Sequence, residues 1–304
     1  AAFSQGYRCD CPERRRGVCV KILVTGKNGQ VGYELHRSLQ SLGDVFALDR
    51  TQMDLADLDQ VRQVIRDIQP DLIVNSAAYT AVDRAEEEST LAMRINGEAP
   101  GVMAEEAKRL GAAMVHYSTD YVFDGTKLGA YTEEDRPAPI NVYGLTKLAG
   151  EQAVQAAGIP HLIFRTSWVY GVRGKNFLLT VQRLAKERDD LRIVADQYGA
   201  PTWCRTIADT TAHILTHLQS ADSWRDRAGI YHLTAQGQTT WRGFAQAIVA
   251  HLHDAKKPIV SPISTQDYPT PARRPVNSVM SCARLIDTFC RLPDWESALQ
   301  LCLE

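Results

Sequence analysis

From Val20 onward the chain alternates short apolar runs rich in β-branched residues with amphipathic stretches of helical period. VKILVTG is followed by QVGYELHRSLQSL, DVFALD by LDQVRQVIRDI, DLIVNSAA by a helical pattern from about Ser89 to Leu110, and AAMVHYS by a helix after Asn141; HLIFRTS closes the series. A strand with no polar face must be covered on both sides, and helices on both faces of a parallel sheet provide that cover. The pattern predicts an α/β fold, a Rossmann-type doubly wound parallel sheet over residues 20–170. After Trp168 the alternation weakens. A helix around Phe177 to Arg188, the strand LRIVA, the loop QYGAPTW, a helix around Thr206 to Leu218, a strand at Gly229 to Leu233, a helix from Trp241 and the segment YPTPARRP follow. They predict a smaller C-terminal lobe over 171–304, interleaved with the last sheet elements at about 195–232.

Charge narrows the partners. Lys plus Arg (34) nearly balances Asp plus Glu (36), so no strong field favours nucleic acid or an anionic membrane, and small molecules are the expected ligands. The longest apolar runs fall far short of the roughly 20 residues that span a bilayer, so no transmembrane segment is expected. Seven cysteines form no CxxC pair, and three of them (Cys9, Cys11, Cys19) crowd into the first nineteen residues. Reduced thiols in a cytoplasmic protein are the economical reading. Residues 1–19 have no apolar core of a signal peptide and are expected to form an extension outside the fold.

VTGKNGQVG places Gly26, Gly29 and Gly32 in the pattern GxxGxxG between a strand and a helix. Such a turn lets backbone approach a pyrophosphate, and the helix that follows presents free N–H groups and the positive end of its dipole. Asp49 closes the second apolar run 23 residues after Gly26, where a carboxylate can accept the hydroxyls of an adenosine ribose. That carboxylate argues for NAD, whereas Arg50 beside it can offset a 2′-phosphate, and the choice stays open. Ser76, Ala77 and Ala78 end the third run with side chains small enough for a flat cofactor to lie close. Tyr143 and Lys147, in NVYGLTKLAGE, are one helical turn apart and share a face. An ammonium near a phenol favours the phenolate, so the Tyr143 pKa is expected to fall from about 10 toward the working range, fitting the tyrosine to pass a proton to a carbonyl oxygen. Ser118 and Thr119, at the end of AAMVHYST, supply hydroxyls, and Thr119 can hydrogen-bond that same oxygen.

This constellation resembles the extended short-chain dehydrogenase/reductase superfamily. Within it GKNGQVG, VNSAAYTAVD, HYSTDYVFDG, NVYGLTKLAGE, FRTSWVYG, LAKERDDL, DQYGAPT and YPTPARRP are similar to the dTDP-4-dehydrorhamnose reductase family, in order and nearly to the end of the chain. The resemblance implies reduction of the 4-keto group of dTDP-4-dehydro-L-rhamnose by NADPH or NADH to give dTDP-L-rhamnose. It implies Tyr143 as proton donor, Lys147 as ligand of the nicotinamide ribose and Thr119 as polariser of the carbonyl. Gly29, Gln30 and Val31 would face the pyrophosphate, Asp49 the adenosine ribose, and Asp54 with Leu55 the adenine end; Ala78, Tyr79, Thr80 and Tyr117 would line the rest of the cofactor site. Thr119, Asp120, Trp168 and Val82 would touch the dTDP-sugar, making the C-terminal lobe substrate-binding, and Asn96 matches the asparagine of the superfamily's active-site helix. Arg273 and Arg274 are diphosphate candidates on charge grounds.

Some members of the family are described as magnesium-dependent homodimers using glutamates whose positions Glu34, Glu187 and Glu296 match, although isolated glutamates are more often solvated surface. His213 and His217 have i, i+4 spacing without the glutamate of an HExxH zinc site, so a plain helix face explains them better. Related nucleotide-sugar dehydratases carry an Asp-Glu pair where this chain has Asp120 and Tyr121, so elimination lacks its second carboxylate and carbonyl reduction is the better expectation. The alternatives are a non-catalytic regulatory subunit resembling the methionine adenosyltransferase β subunit, or a reductase or epimerase of another nucleotide sugar.

Overall fold

The structure is a computed structural model that describes residues 20–218, 220–252 and 257–304; the extension expected at 1–19 lies outside the described residues. Its centre is a six-stranded sheet, parallel throughout. The strands are β1 (Lys21–Thr25), β2 (Asp44–Leu48), β3 (Leu72–Asn75), β4 (Ala113–Thr119), β5 (His161–Thr166) and β6 (Gly229–His232), and their spatial order is 2-1-3-4-5-6. The order reverses between β1 and β3, which opens a crevice at the strands' carboxyl ends.

Alternation along each strand divides the core. Ile22, Val24, Leu72, Val74, Val115 and Leu162 point to one face, where they meet Leu35 of α1 (Gln30–Ser38), Leu39 at its C-cap, and Ile207 and Ile214 of a helix at Cys204–Thr216. Leu23, Ile73, Met114 and Ile163 point to the other. There they meet Val61 and Ile65 of α2 (Leu58–Ile68), Val102 and Met103 of α3 (Ala99–Leu110) and Val154 of α4 (Val142–Ala156). Both layers are closed to water, as uninterrupted apolar strands require. A third cluster, built around Tyr170, Leu178, Phe244, Ile248, Trp295 and Leu299, forms the core of the smaller lobe, whose own parallel pair joins Asp190–Val194 to Ile259–Ile263. Between those two segments the chain returns to the sheet to contribute the helix at Cys204–Thr216 and β6. Among the described residues no helix is long and apolar enough to cross a membrane.

The helical pattern expected from Ser89 to Leu110 is interrupted where the site begins. A helix at Ser89–Met93 runs into a π turn at Arg94–Glu98 before α3 resumes. Pro100 has no N–H to give Asn96, four residues earlier, and in a regular helix its ring would strike the Asn96 carbonyl. The wider turn relieves both problems and sends that carbonyl toward α4. There Gly150 leaves it room, since a Cβ at 150 would stand 2.2 Å from Asn96 O.

Candidate active site

Four sequence elements converge on the crevice. At the first, Gly26 adopts φ +73° and Gly29 N donates to Gly26 O at 2.9 Å, closing the turn. A Cβ on Gly32 would lie 2.1 Å from that same oxygen, so the third glycine is what lets α1 start directly against the turn. Gly29 is the N-cap and no side chain caps it, which leaves the first N–H groups of α1 free for an anion. Gln30 donates to Val169 O at 3.4 Å and accepts from Asn176 at 2.8 Å, fastening α1 to the segment that leads into the lobe.

The second element is the end of β3. Asn96, 1% exposed, accepts from Tyr79 N at 2.8 Å and donates to Tyr79 O at 3.0 Å; it also donates to Thr146 Oγ1 at 3.1 Å, and Thr146 in turn donates to Tyr143 O at 2.9 Å. One amide therefore fixes the crevice wall against α4.

The third is β4 and the 3-10 turn Asp120–Val122 that follows it. Thr119 caps this turn by accepting from Tyr121 N and donates to Asp120 Oδ1 at 2.9 Å. The fourth is α4, capped by Asn141, which accepts from Gly144 N at 2.7 Å and donates to Arg273 O at 2.8 Å. Gly144 packs on the turn so closely that a Cβ there would stand 2.0 Å from Tyr121 O. Helix and turn are thus locked together with Tyr143 beside Thr119.

A cavity of about 570 Å³ lies over these elements. Of the expected residues, Gly26, Gly29, Gln30, Val31, Asp49, Ala78, Thr80, Tyr117, Tyr143 and Lys147 line it, with Ser76, Ala77 and Ser118. Asn28, Arg50, Thr166, Val169, Gly174 and Lys175 also line it and were not expected; only Arg50 had drawn notice, for its charge. Ser118 Oγ and Thr166 Oγ1 are buried without a protein partner. The uncapped helix start, the space that glycine keeps open and these two unpaired hydroxyls fit a dinucleotide.

Several expected residues stand elsewhere. Leu55 is 5% exposed in the core beside Val61 and is not among the residues lining the cavity, nor are Asp54, which pairs with Arg50 at 3.2 Å, and Tyr79, which donates to Glu88 at 2.6 Å. Tyr117 spends its hydroxyl on Thr211 at 2.7 Å and gives the site its carbonyl instead. Trp168, half-buried at φ +46°, is stacked on Trp241 at 3.6 Å between centroids and is not among the residues lining the cavity. A bulky residue in that backbone region is strained by about 1–3 kcal/mol, a feature that clusters at functional sites. Arg274 makes a two-point pair with Asp83 at 3.0 and 2.8 Å, next to Val82 at the start of the short helix Val82–Ala85. Among the described residues no three His, Cys, Asp or Glu side chains gather as a metal site within the chain, and Glu187 pairs with Arg183. His213 and His217 meet edge to face along one helix face, with ring centroids 4.8 Å apart.

The electrostatics correct one expectation. The Tyr143 phenol is not lowered by Lys147. Desolvation of the hydroxyl, reinforced by the Asp120 carboxylate and only partly opposed by Thr119, pushes it up to about 12. Lys147, 2% exposed, donates to Tyr117 O at 2.6 Å and lies 3.5 Å from His116 Nε2, so its ammonium is turned to the strand. Burial brings Lys147 down to about 8 against the opposing pull of Glu151, and burial beside that ammonium holds His116 neutral. Asp120, raised to about 6 by burial, keeps Oδ2 without a partner.

A glycine turn at the switch point of a parallel sheet, with a Tyr-x-x-x-Lys helix on the same crevice, defines an extended short-chain dehydrogenase/reductase. The UDP-glucose 4-epimerase of Thermus thermophilus, complexed with NAD, shares the fold at 21% identity (TM-score 0.77, covering 93% of this chain and 98% of that one). Residues 20–304 match the family model described as RmlD substrate binding domain. The dTDP-4-dehydrorhamnose reductase of Burkholderia thailandensis is 52% identical over 297 residues, covering 93% of this chain and 98% of that protein. That of Escherichia coli K12 is 45% identical over 286 residues, covering 91% and 95%. A crystal structure of the dTDP-4-dehydrorhamnose reductase of Bacillus anthracis in complex with NADP matches with a TM-score of 0.85 at 36% identity, covering 94% of this chain and 99% of that one. The chain belongs to the dTDP-4-dehydrorhamnose reductase family.

Proposed function

We propose that the protein reduces the 4-keto group of dTDP-4-dehydro-L-rhamnose to dTDP-L-rhamnose with NADPH or NADH. One observation carries the reading: Tyr143 and Lys147 face the same cavity as the glycine turn, with Thr119 beside the phenol. The names of the relatives and the NADP held by the Bacillus anthracis protein support it.

When bound, the dinucleotide supplies the hydride that the carbonyl carbon accepts. The chain supplies the rest. Backbone N–H groups at Gly29, Gln30 and Val31 would hold the pyrophosphate, Asp49 would accept the adenosine ribose hydroxyls, and Lys147, anchored on Tyr117 O, would give its other N–H groups to the nicotinamide ribose. Tyr143, kept protonated by its raised pKa, gives the proton that the ketone oxygen needs, and the Thr119 hydroxyl polarises that oxygen. Asp120 and Trp168, beyond the ends of β4 and β5, and Arg274 of the smaller lobe would meet the sugar nucleotide, so the lobe would contribute to substrate binding.

Purified protein given NADPH and dTDP-4-dehydrorhamnose is expected to consume NADPH with a turnover on the order of 1–10³ per second. Consumption only with a different nucleotide sugar would move the substrate assignment, and none with any sugar would favour a non-catalytic regulatory subunit. Lys147 also fixes a pH dependence. It is charged below about 8 and loses its proton above, so dinucleotide affinity is expected to fall as pH rises through that value, and in Lys147→Met the fall should be absent. A titration of dinucleotide binding from pH 6 to 10 reads this directly.

A further inference from the structure

His116 stands in the middle of β4, 0% exposed, and belongs to none of the groups given a part in the reaction above. A chain of hydrogen bonds reaches it from the crevice wall. Ala77 N donates to Thr25 Oγ1 at 3.0 Å, Thr25 Oγ1 lies 2.8 Å from Asn75 Oδ1, Asn75 Nδ2 lies 3.1 Å from His116 Nδ1, and His116 Nε2 lies 3.5 Å from Lys147 Nζ. Thr25, Asn75 and Lys147 are no more than 2% exposed, so bulk water supplies no missing partner. The direction of the chain then follows from its first donor. A backbone N–H can only give, so Thr25 accepts from Ala77 and has one hydroxyl hydrogen left, whose acceptor is Asn75 Oδ1. That turns the Asn75 amide N–H toward Nδ1, which accepts, and a neutral imidazole that accepts at Nδ1 carries its hydrogen on Nε2. The reverse order would leave the Thr25 hydroxyl hydrogen buried with nothing to take it. Burial beside Lys147 keeps the ring neutral.

The Nε2 hydrogen therefore points at the lysine nitrogen. Two N–H groups face to face repel while Lys147 is an ammonium, whereas the lone pair of the amine accepts the imidazole hydrogen. We infer that His116 is a positioning residue for Lys147: fixed as the Nε2–H tautomer by Thr25 and Asn75, it favours the amine over the ammonium and makes this lysine a readier proton donor than an exposed one. His116 takes nothing from the ammonium, so with one N–H on Tyr117 O the other two are left for the cavity. Glu151, one turn along α4 and paired with Arg165 of β5, is the charge that acts on Lys147, and it pulls the other way; β1 and β3 bring only the neutral Thr25 and Asn75 to His116, and Tyr143 on the same face of α4 is neutral in this range. In the proposed reduction, on which this role rests, Tyr143 gives its proton to the ketone oxygen and is left as phenolate. The Lys147 ammonium returns a proton to it across the cavity they share, becomes the amine that His116 stabilises, and takes a proton back from water.

Nitrogen NMR of the isotopically labelled wild-type protein tests the tautomer directly. The His116 ring, assigned through its own backbone, is expected to show a protonated Nε2 and a bare Nδ1. Its Nε2–H proton should move downfield between pH 6 and 10 at the midpoint of the fall in dinucleotide affinity, and should stay in place in Lys147→Met. His116→Phe keeps a ring in the gap but removes the hydrogen, so the fall in dinucleotide affinity should move to higher pH by about 0.5 to 1 unit, the usual strength of one hydrogen bond. A protonated Nδ1, an Nε2–H signal indifferent to Lys147, or an affinity fall that stays or moves to lower pH in His116→Phe would each overturn the inference while leaving the proposed function intact. A wild-type protein that binds no dinucleotide would overturn the proposed function instead, and the ring signals would still decide the tautomer of His116.

Discussion

Tyr143→Phe is expected to lower kcat by about 10²- to 10⁴-fold, the usual worth of a positioned general acid, and to leave dinucleotide affinity close to that of the wild type. The substitution removes one oxygen from a ring held in place by other contacts: the edge of Tyr121 meets it at 5.7 Å between centroids, and the backbone at 143 is tied to Thr146. Binding groups on the glycine turn and at Lys147 are untouched, so the loss should fall on kcat rather than KM. With the phenol pushed up to about 12, the protonated donor dominates through neutral and mildly alkaline pH, so the pH profile of the wild type should show no limb belonging to Tyr143 there. Undiminished turnover in the phenylalanine variant would remove Tyr143 from the chemistry, and an alkaline limb that vanishes with it would restore the lowered phenol that its spacing from Lys147 suggests.

That spacing shows what a sequence makes legible here. Period and composition are local, and both carried through: the apolar runs became the sheet, the glycines became the turn at its switch point, and Tyr143 with Lys147 came to share one face on the crevice. The charge state of that pair is a property of its surroundings. It depends on how much water reaches the phenol, on Asp120 at the end of β4, and on the Tyr117 carbonyl that claims the ammonium. The π turn had a visible signal in Pro100, four residues beyond Asn96, yet its use becomes apparent only once Gly150 of α4 stands opposite the freed carbonyl. His116 gave no signal, because a histidine in an apolar strand reads as core until Asn75 and Lys147 lie at its two nitrogens.

Glu151→Ala is expected to cost about 3–5 kcal/mol of folding stability, the range for breaking a buried ion pair by removing one partner. Arg165 is a charge inside the apolar strand β5, and its compensation lies on α4. Its guanidinium meets Glu151 as a two-pronged fork, Nε to Oε1 at 2.9 Å and Nη2 to Oε2 at 2.7 Å, with both side chains no more than 2% exposed. Few other groups can take over. Nη1 already lacks a partner, Phe123 lies 5.2 Å from the guanidinium, and burial together with the Arg165 charge holds the neighbouring His232 down at about 3, hence neutral. An alanine at 151 therefore strands a desolvated cation, and against a total stability of about 5–15 kcal/mol that is a large fraction of what holds the domain folded. Urea unfolding should show the loss as a lower midpoint at unchanged slope. Replacing both partners together, Glu151→Leu with Arg165→Met, should recover most of it, because two apolar side chains of similar volume need no compensation. A loss below about 1 kcal/mol in the single variant would mean that water or another group reaches Arg165. Glu151→Gln separates structure from chemistry: it keeps an acceptor for the fork but removes the charge that holds the Lys147 pKa up, so the alkaline fall in dinucleotide affinity should move below pH 8 in a protein that still folds.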